Sequence, residues 1–207
     1  MGYFPFFADI KNKRCVVVGG GNVALRKVEK LLPFEPEIVV VAPTVCSELK
    51  NISGIEITER NFLDSDIDNT FMVISATDNA ELNAHIFSLC SERKIPVNTV
   101  DDLEKCGFIF PALVHKNDIT VGITTSGKSP LYARFLREQT EELLSERSLE
   151  IMEIMGRFRP VIKQKFDTEE KRKNAAEAVL KLCLTNDELP SDDTINALLE
   201  ELKEHEN

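Results

Sequence analysis

The stretch CVVVGGGNVALRK, residues 15–27, admits few folds. Val16, Val17 and Val18 form a β-branched run, the pattern of a strand buried on both faces. Gly19, Gly20 and Gly21 follow at once. Residues 22–32 then read as a helix, with Val23, Leu25, Val28, Leu31 and Leu32 available for its buried side and Pro33 at its end. The spacing Gly19-x-Gly21-x-x-Ala24 matches the dinucleotide fingerprint with alanine in third place. One glycine permits a tight turn, and the next lets backbone approach a pyrophosphate. The small third residue lets helix and strand pack closely, while free N–H groups at the helix start face the anion. A glycine-rich turn serving packing alone would share the spacing.

An acidic residue often ends the second strand of such a unit and binds the adenosine ribose. Here that strand, Glu37 to Val41, carries its acid at the wrong end and runs into Ala42, Pro43 and Thr44. Ribose contacts are therefore expected from backbone near Pro43 or from the Thr44 hydroxyl. No arginine follows to favour a 2′-phosphate, which prefers NAD over NADP.

Downstream the periodicity alternates. A short helix is expected at CSELKN, a half-buried strand at GIEITER and a buried strand at FMVISATD. Asp78 and Glu81 have capping-box spacing for a helix running to about Arg93, and IPVNTVDD reads as a further strand. Strand alternating with helix predicts a Rossmann-type α/β fold, a doubly wound parallel sheet. Ligands collect at the carboxyl ends of such strands. Those ends fall at residues 19–21, 43–44, 75–78 and 98–102; Thr77 and Asn98 are assigned to the cofactor with them.

Past residue 107 the pattern changes. GFIFPALVHKNDITVGITTSGKSP reads as a hairpin turning at Lys116-Asn117-Asp118, followed by a polar glycine loop. Ser129 before Pro130 is a good helix start, and LYARFLREQTEELL is amphipathic. A hairpin and helix bury little alone, so this segment is expected to mediate dimerisation. The remainder is expected to be helical: Leu149 to about Phe166 with a bend near Pro160, then a helix begun by Asp167, then one after Pro190-Ser191. The expected division is 1–113 for the dinucleotide-binding domain, 114–145 for the dimerisation segment and 146–207 for a small helical domain.

Composition narrows the function. The net charge of −10 argues against nucleic acid as a partner. Residues 185–207 hold eight acids and one base, −7 of that total, so an anionic ligand remains compatible with the rest. No apolar run is long enough to span a bilayer. MGYFPFFADI lacks the basic region and cleavage site of a signal peptide, and its aromatics are expected to pack against the sheet. Five scattered cysteines and three scattered histidines show no metal-binding spacing. No metal site is expected, and the thiols fit a reducing cytoplasm.

The motifs in order, FPFFADIKNKRCVVVGGGNVALRK, VVAPT, ISATDN, VNTVDD, FIFPALV and TTSGKSPLYARFLRE, resemble the precorrin-2 dehydrogenase and sirohydrochlorin ferrochelatase family, the N-terminal module of sirohaem synthase. The resemblance covers about residues 3–145. It implies NAD-dependent oxidation of precorrin-2 to sirohydrochlorin by a homodimer, with Fe2+ insertion in some members. It places Asn22, Val23, Pro43 and Thr44 against NAD, Asp101 at the family's catalytic aspartate, and Thr125 and Ser126 in the loop lining the tetrapyrrole groove.

These roles make chemical sense. Asp101 follows a strand end in the crevice, where a carboxylate can accept the proton lost with a hydride. Asp102 fits a loop cap better. The substrate is a macrocycle ringed with carboxylates, and Lys128, Ser129, Arg134 and Arg137 stand about one helix start. The competing reading is a non-catalytic NAD-sensing module, which would share the glycine loop and dimer but need neither Asp101 nor TTSGKSP. Another NAD-dependent dehydrogenase is disfavoured because no histidine or lysine acid/base is well placed.

Overall fold

The computed structural model describes residues 3–100 and 102–205. The chain forms two compact units, Met1–Pro111 and Ala112–Asn207.

The first unit is a five-stranded parallel sheet of order β3-β2-β1-β4-β5, the doubly wound arrangement expected. Its strands are β1 (Arg14–Val18), β2 (Glu37–Val41), β3 (Ile55–Thr58), β4 (Met72–Ser75) and β5 (Val97–Thr99). The period of two sends Cys15, Val17, Ile38, Val40 and Ile74 to one face of the sheet. There α1 (Asn22–Leu31) packs through Ala24, Val28 and Leu31. Val16, Val18, Val39, Val41, Val73 and Val97 fill the other face with Ile86 and Cys90 of α3 (Ala80–Glu92). Burial on both faces explains the uninterrupted valine runs. A four-residue helix, α2 (Ser47–Lys50), follows β2 and buries Leu49. Burial pushes the Cys15 thiol up to about 12 and the Cys90 thiol up to about 11.

The N-terminal aromatics do not pack as expected. Phe4, Phe6 and Phe7 are 84%, 73% and 75% exposed, and among the described residues Ile10 is the first side chain to enter the core. Their segment pairs with no strand.

The second unit begins with the hairpin of β6 (Ala112–Lys116) and β7 (Ile119–Ile123), followed by α4 (Pro130–Leu143). The Lys116 ammonium donates to the Glu141 and Leu144 carbonyls at the end of α4 (2.8 and 3.0 Å). This satisfies acceptors that a helix C-terminus leaves open. Then come α5 (Glu146–Lys165), α6 (Glu169–Thr185) and α7 (Asp192–His205). Ile151, Ile154, Phe158 and Ile162, at helical spacing on α5, pack with Ala175, Val179 and Cys183 of α6 and with Ile195 and Leu199 of α7.

Three helix starts differ from expectation. α3 is capped by Asn79, not Asp78: Asn79 Oδ1 accepts the Glu81 and Leu82 N–H groups at 3.0 Å each. α6 is capped by Thr168, whose Oγ1 accepts the Lys171 N–H, while Asp167 lies 3.6 Å from the Lys171 ammonium. α5 begins at Glu146 rather than Leu149, because Ser145 caps it through the Ser148 N–H. It continues through Pro160.

Candidate functional site

Thr58, Val41, Val18, Ser75 and Thr99 lie in one register row across the five strands, marking the carboxyl edge of the sheet. The glycine turn leaves this row after Val18. Gly19 has φ +124°, open to glycine and strained for other residues; a Cβ there would stand 2.3 Å from the Ala76 carbonyl oxygen. A Cβ on Gly20 would stand 2.1 Å from the Thr44 carbonyl oxygen. The Gly19 N–H donates to the Val41 carbonyl (3.0 Å), and the Gly20 carbonyl accepts the Cys46 N–H (2.8 Å). These two glycines hold the turn between the loops after β2 and β4. The fingerprint spacing leaves Gly20 without a role; the run of three glycines was the only signal of its tight contact.

Gly21 is different. A Cβ there meets nothing within 4 Å, and the residue is exposed. It occupies the N-cap of α1, where no side chain caps the helix and no acid stands in the first turn. Backbone N–H groups at Asn22 and Val23 therefore border open space at the positive end of a helix dipole. That is the environment a pyrophosphate requires, and the residues present fit a bound dinucleotide. Ala24 is fully buried, as close helix–strand packing demands. Pro43 and Thr44 are exposed just past β2.

The other assigned residues of this unit are committed internally. The Thr77 hydroxyl donates to Asn83 Oδ1 (2.6 Å) and accepts the Asn79 N–H (3.2 Å). The Ser75 hydroxyl donates to the same Asn83 oxygen (2.7 Å). Thr77 thus stiffens the loop after β4. Asn98 is buried; its Oδ1 accepts from Lys27 Nζ (3.3 Å) and its Nδ2 donates to the Phe108 carbonyl (3.0 Å). Lys27 also lies 4.1 Å from the centroid of the Phe110 ring. Asp102 caps the next turn, accepting the Lys105 N–H (3.3 Å) and the Lys105 ammonium (2.6 Å). Those Lys105 bonds hold its carboxyl below the usual range. Asp101 lies outside the described residues.

In the second unit, Thr125, Ser126, Lys128 and Ser129 share one loop. Ser126 and Gly127 adopt positive φ (+54° and +79°). Thr125 Oγ1 accepts the Ser129 N–H (3.2 Å) and donates to its carbonyl (3.0 Å), while Ser129 Oγ accepts the Tyr132 N–H (3.2 Å). Ser126 and Lys128 are exposed. Arg134 pairs with Glu138 (2.9 Å), and Arg137 pairs with Glu138 (3.1 Å) and Glu141. Residues 119–137 still carry three bases and no acid, in a chain of net charge −10.

Among the described residues, no group of three or more His, Cys, Asp or Glu is arranged to hold a metal, and no helix is long and apolar enough to cross a membrane.

Sheet order and glycine turn together define a Rossmann-type dinucleotide-binding protein. The family model NAD_binding_7, described by NAD(P) binding, matches residues 6–112, and the chain belongs to that NAD(P)-binding family. The siroheme synthase of Thioalkalivibrio sulfidiphilus is 41% identical over 177 residues, 84% of this chain and 36% of the relative. Siroheme synthase 2 of Yersinia pestis (strain Pestoides F) is 42% identical over 167 residues, 79% of this chain and 35% of the relative. The chain thus spans little more than a third of the curated relatives it matches. A solved structure, SirC, precorrin-2 dehydrogenase, superposes with TM-score 0.72 at 20% identity, covering 98% of this chain and 100% of that one; it shares the fold.

Proposed function

We propose that this chain oxidises precorrin-2 to sirohydrochlorin in siroheme formation, with NAD as hydride acceptor. The observation that carries this reading is the open, uncapped Gly21 turn in a chain that aligns over most of its length with siroheme synthases. Bound NAD supplies the hydride acceptor. Gly21 and the first N–H groups of α1 hold its pyrophosphate, and Pro43 and Thr44 border its adenosine half. The absence of an arginine after β2 favours NAD over NADP.

Precorrin-2 loses two electrons and two protons overall, as one hydride and one proton. Asp101 is the base that takes the proton. Ser126 and Lys128, exposed in the loop before α4, engage carboxylates of the macrocycle. Thr125 and Ser129 hold that loop in shape. Arg134 and Arg137 join Lys128 by exchanging a glutamate partner for a substrate carboxylate.

The active form is a homodimer. α4 presents Leu131 (78% exposed), Tyr132 (55%), Phe135 (50%) and Leu143 (77%) on one side, an apolar face that a second copy would cover. Insertion of Fe2+ into sirohydrochlorin is a second step open to the same carboxylate, because pyrrole protons must leave as the metal enters.

Asp101→Ala separates binding from chemistry. NAD affinity is expected to stay at the wild-type value while oxidation falls ~10²–10⁴-fold, the usual contribution of a general base. Near-normal turnover would remove Asp101 from the mechanism.

A further inference from the structure

Among the described residues, two buried side-chain polar atoms have no hydrogen-bond partner: Arg14 Nε and Thr99 Oγ1. Arg14 opens β1 at the amino edge of the sheet, far from the glycine turn, and its guanidinium already donates to the Asp66 carbonyl (3.2 Å). Thr99 ends β5 in the carboxyl-edge row and is 3% exposed. A buried hydroxyl left unsatisfied is destabilising, whereas valine in its place would bury the same volume at no such cost. Val97, two residues earlier on the same face, does so.

We infer that the Thr99 hydroxyl is a binding group for the nicotinamide half of the dinucleotide. The pyrophosphate lies over Gly21, after β1, and the exposed Pro43 and Thr44 after β2 border the adenosine half. The other half must run the opposite way, over the ends of β4 and β5. Thr99 stands two strands from Val18, about 9.5 Å at ordinary strand spacing.

Among the described residues, Ser75, Thr77 and Asn98 near those strand ends are committed: Ser75 and Thr77 to Asn83, Asn98 to Lys27 and Phe108. Cys106 donates to the Thr99 carbonyl (3.2 Å), which fixes the backbone without using the hydroxyl. A carboxamide offers both an acceptor oxygen and donor N–H groups, and a threonine hydroxyl can answer either. This assignment concerns NAD alone and holds whatever the oxidised substrate is.

The test uses the whole chain and two ligands, NAD+ and ADP-ribose, which lacks nicotinamide. Calorimetric titration of Thr99→Val is expected to show about tenfold weaker NAD+ binding and unchanged ADP-ribose binding. Thr99→Ser keeps both within about twofold. Without ligand, Thr99→Val melts at or above the wild-type temperature, because the unsatisfied hydroxyl is gone. Unchanged NAD+ affinity in Thr99→Val overturns the assignment. So does equal loss of both ligands, or a lowered melting temperature or failure to fold without ligand, since each makes the hydroxyl a structural group.

Discussion

At the residue scale the glycine turn separates folding from binding. The structure shows why Gly19 and Ala24 must be small and leaves open space beside Gly21, the three positions singled out by the fingerprint spacing. That spacing could not reveal that Gly20 is wedged against the Thr44 carbonyl, because that contact is made by a loop more than twenty residues away. Gly20→Ala places a Cβ against backbone that cannot yield cheaply, so a large destabilisation is expected, on the order of 2–4 kcal/mol. Gly21→Asp meets open space and should leave the melting temperature near wild type. It sets negative charge where the pyrophosphate sits and should abolish NAD binding. Paired thermal melts and NAD titrations of the two variants check this. A folded Gly21→Asp protein with wild-type NAD affinity would place the cofactor elsewhere.

At the element scale, periodicity located the strands and helices, while side-chain competition decided where they start. Capping-box spacing to Glu81 pointed to Asp78, yet Asn79 takes two of the free N–H groups of the first turn, and the Thr77 hydroxyl takes the Asn79 N–H. Thr168 displaces Asp167 in the same way. In both cases two adjacent capping residues compete, and a local pattern cannot rank them when the preceding loop chooses. Asn79→Ala is expected to cost about 1 kcal/mol and Asp78→Ala much less, measured by urea denaturation. Equal losses would return the cap to Asp78. The N-terminal phenylalanines show the limit of composition: an aromatic cluster states that burial is favourable, not which surface supplies it.

At the scale of the whole molecule, the parallel sheet and the helical second unit were legible because each pattern is long and repeated. The crevice was less so. Thr77 lies just past the end of β4 and Asn98 one residue short of the end of β5, and hydrogen bonds formed only in the fold engage both side chains. The α4 face predicts association: sedimentation at micromolar concentration should show a dimer, and Leu131→Lys with Phe135→Lys should shift it toward monomer. A wild-type monomer would contradict the proposed assembly. The central claim is tested most directly by anaerobic incubation of the protein with enzymatically made precorrin-2 and NAD+, following NADH and sirohydrochlorin spectra together. The account predicts that NADH and sirohydrochlorin rise in step, in equal amounts, and only with both substrates present. Tight NAD+ binding with no NADH formed from precorrin-2 would contradict it and leave a dinucleotide-sensing module in its place.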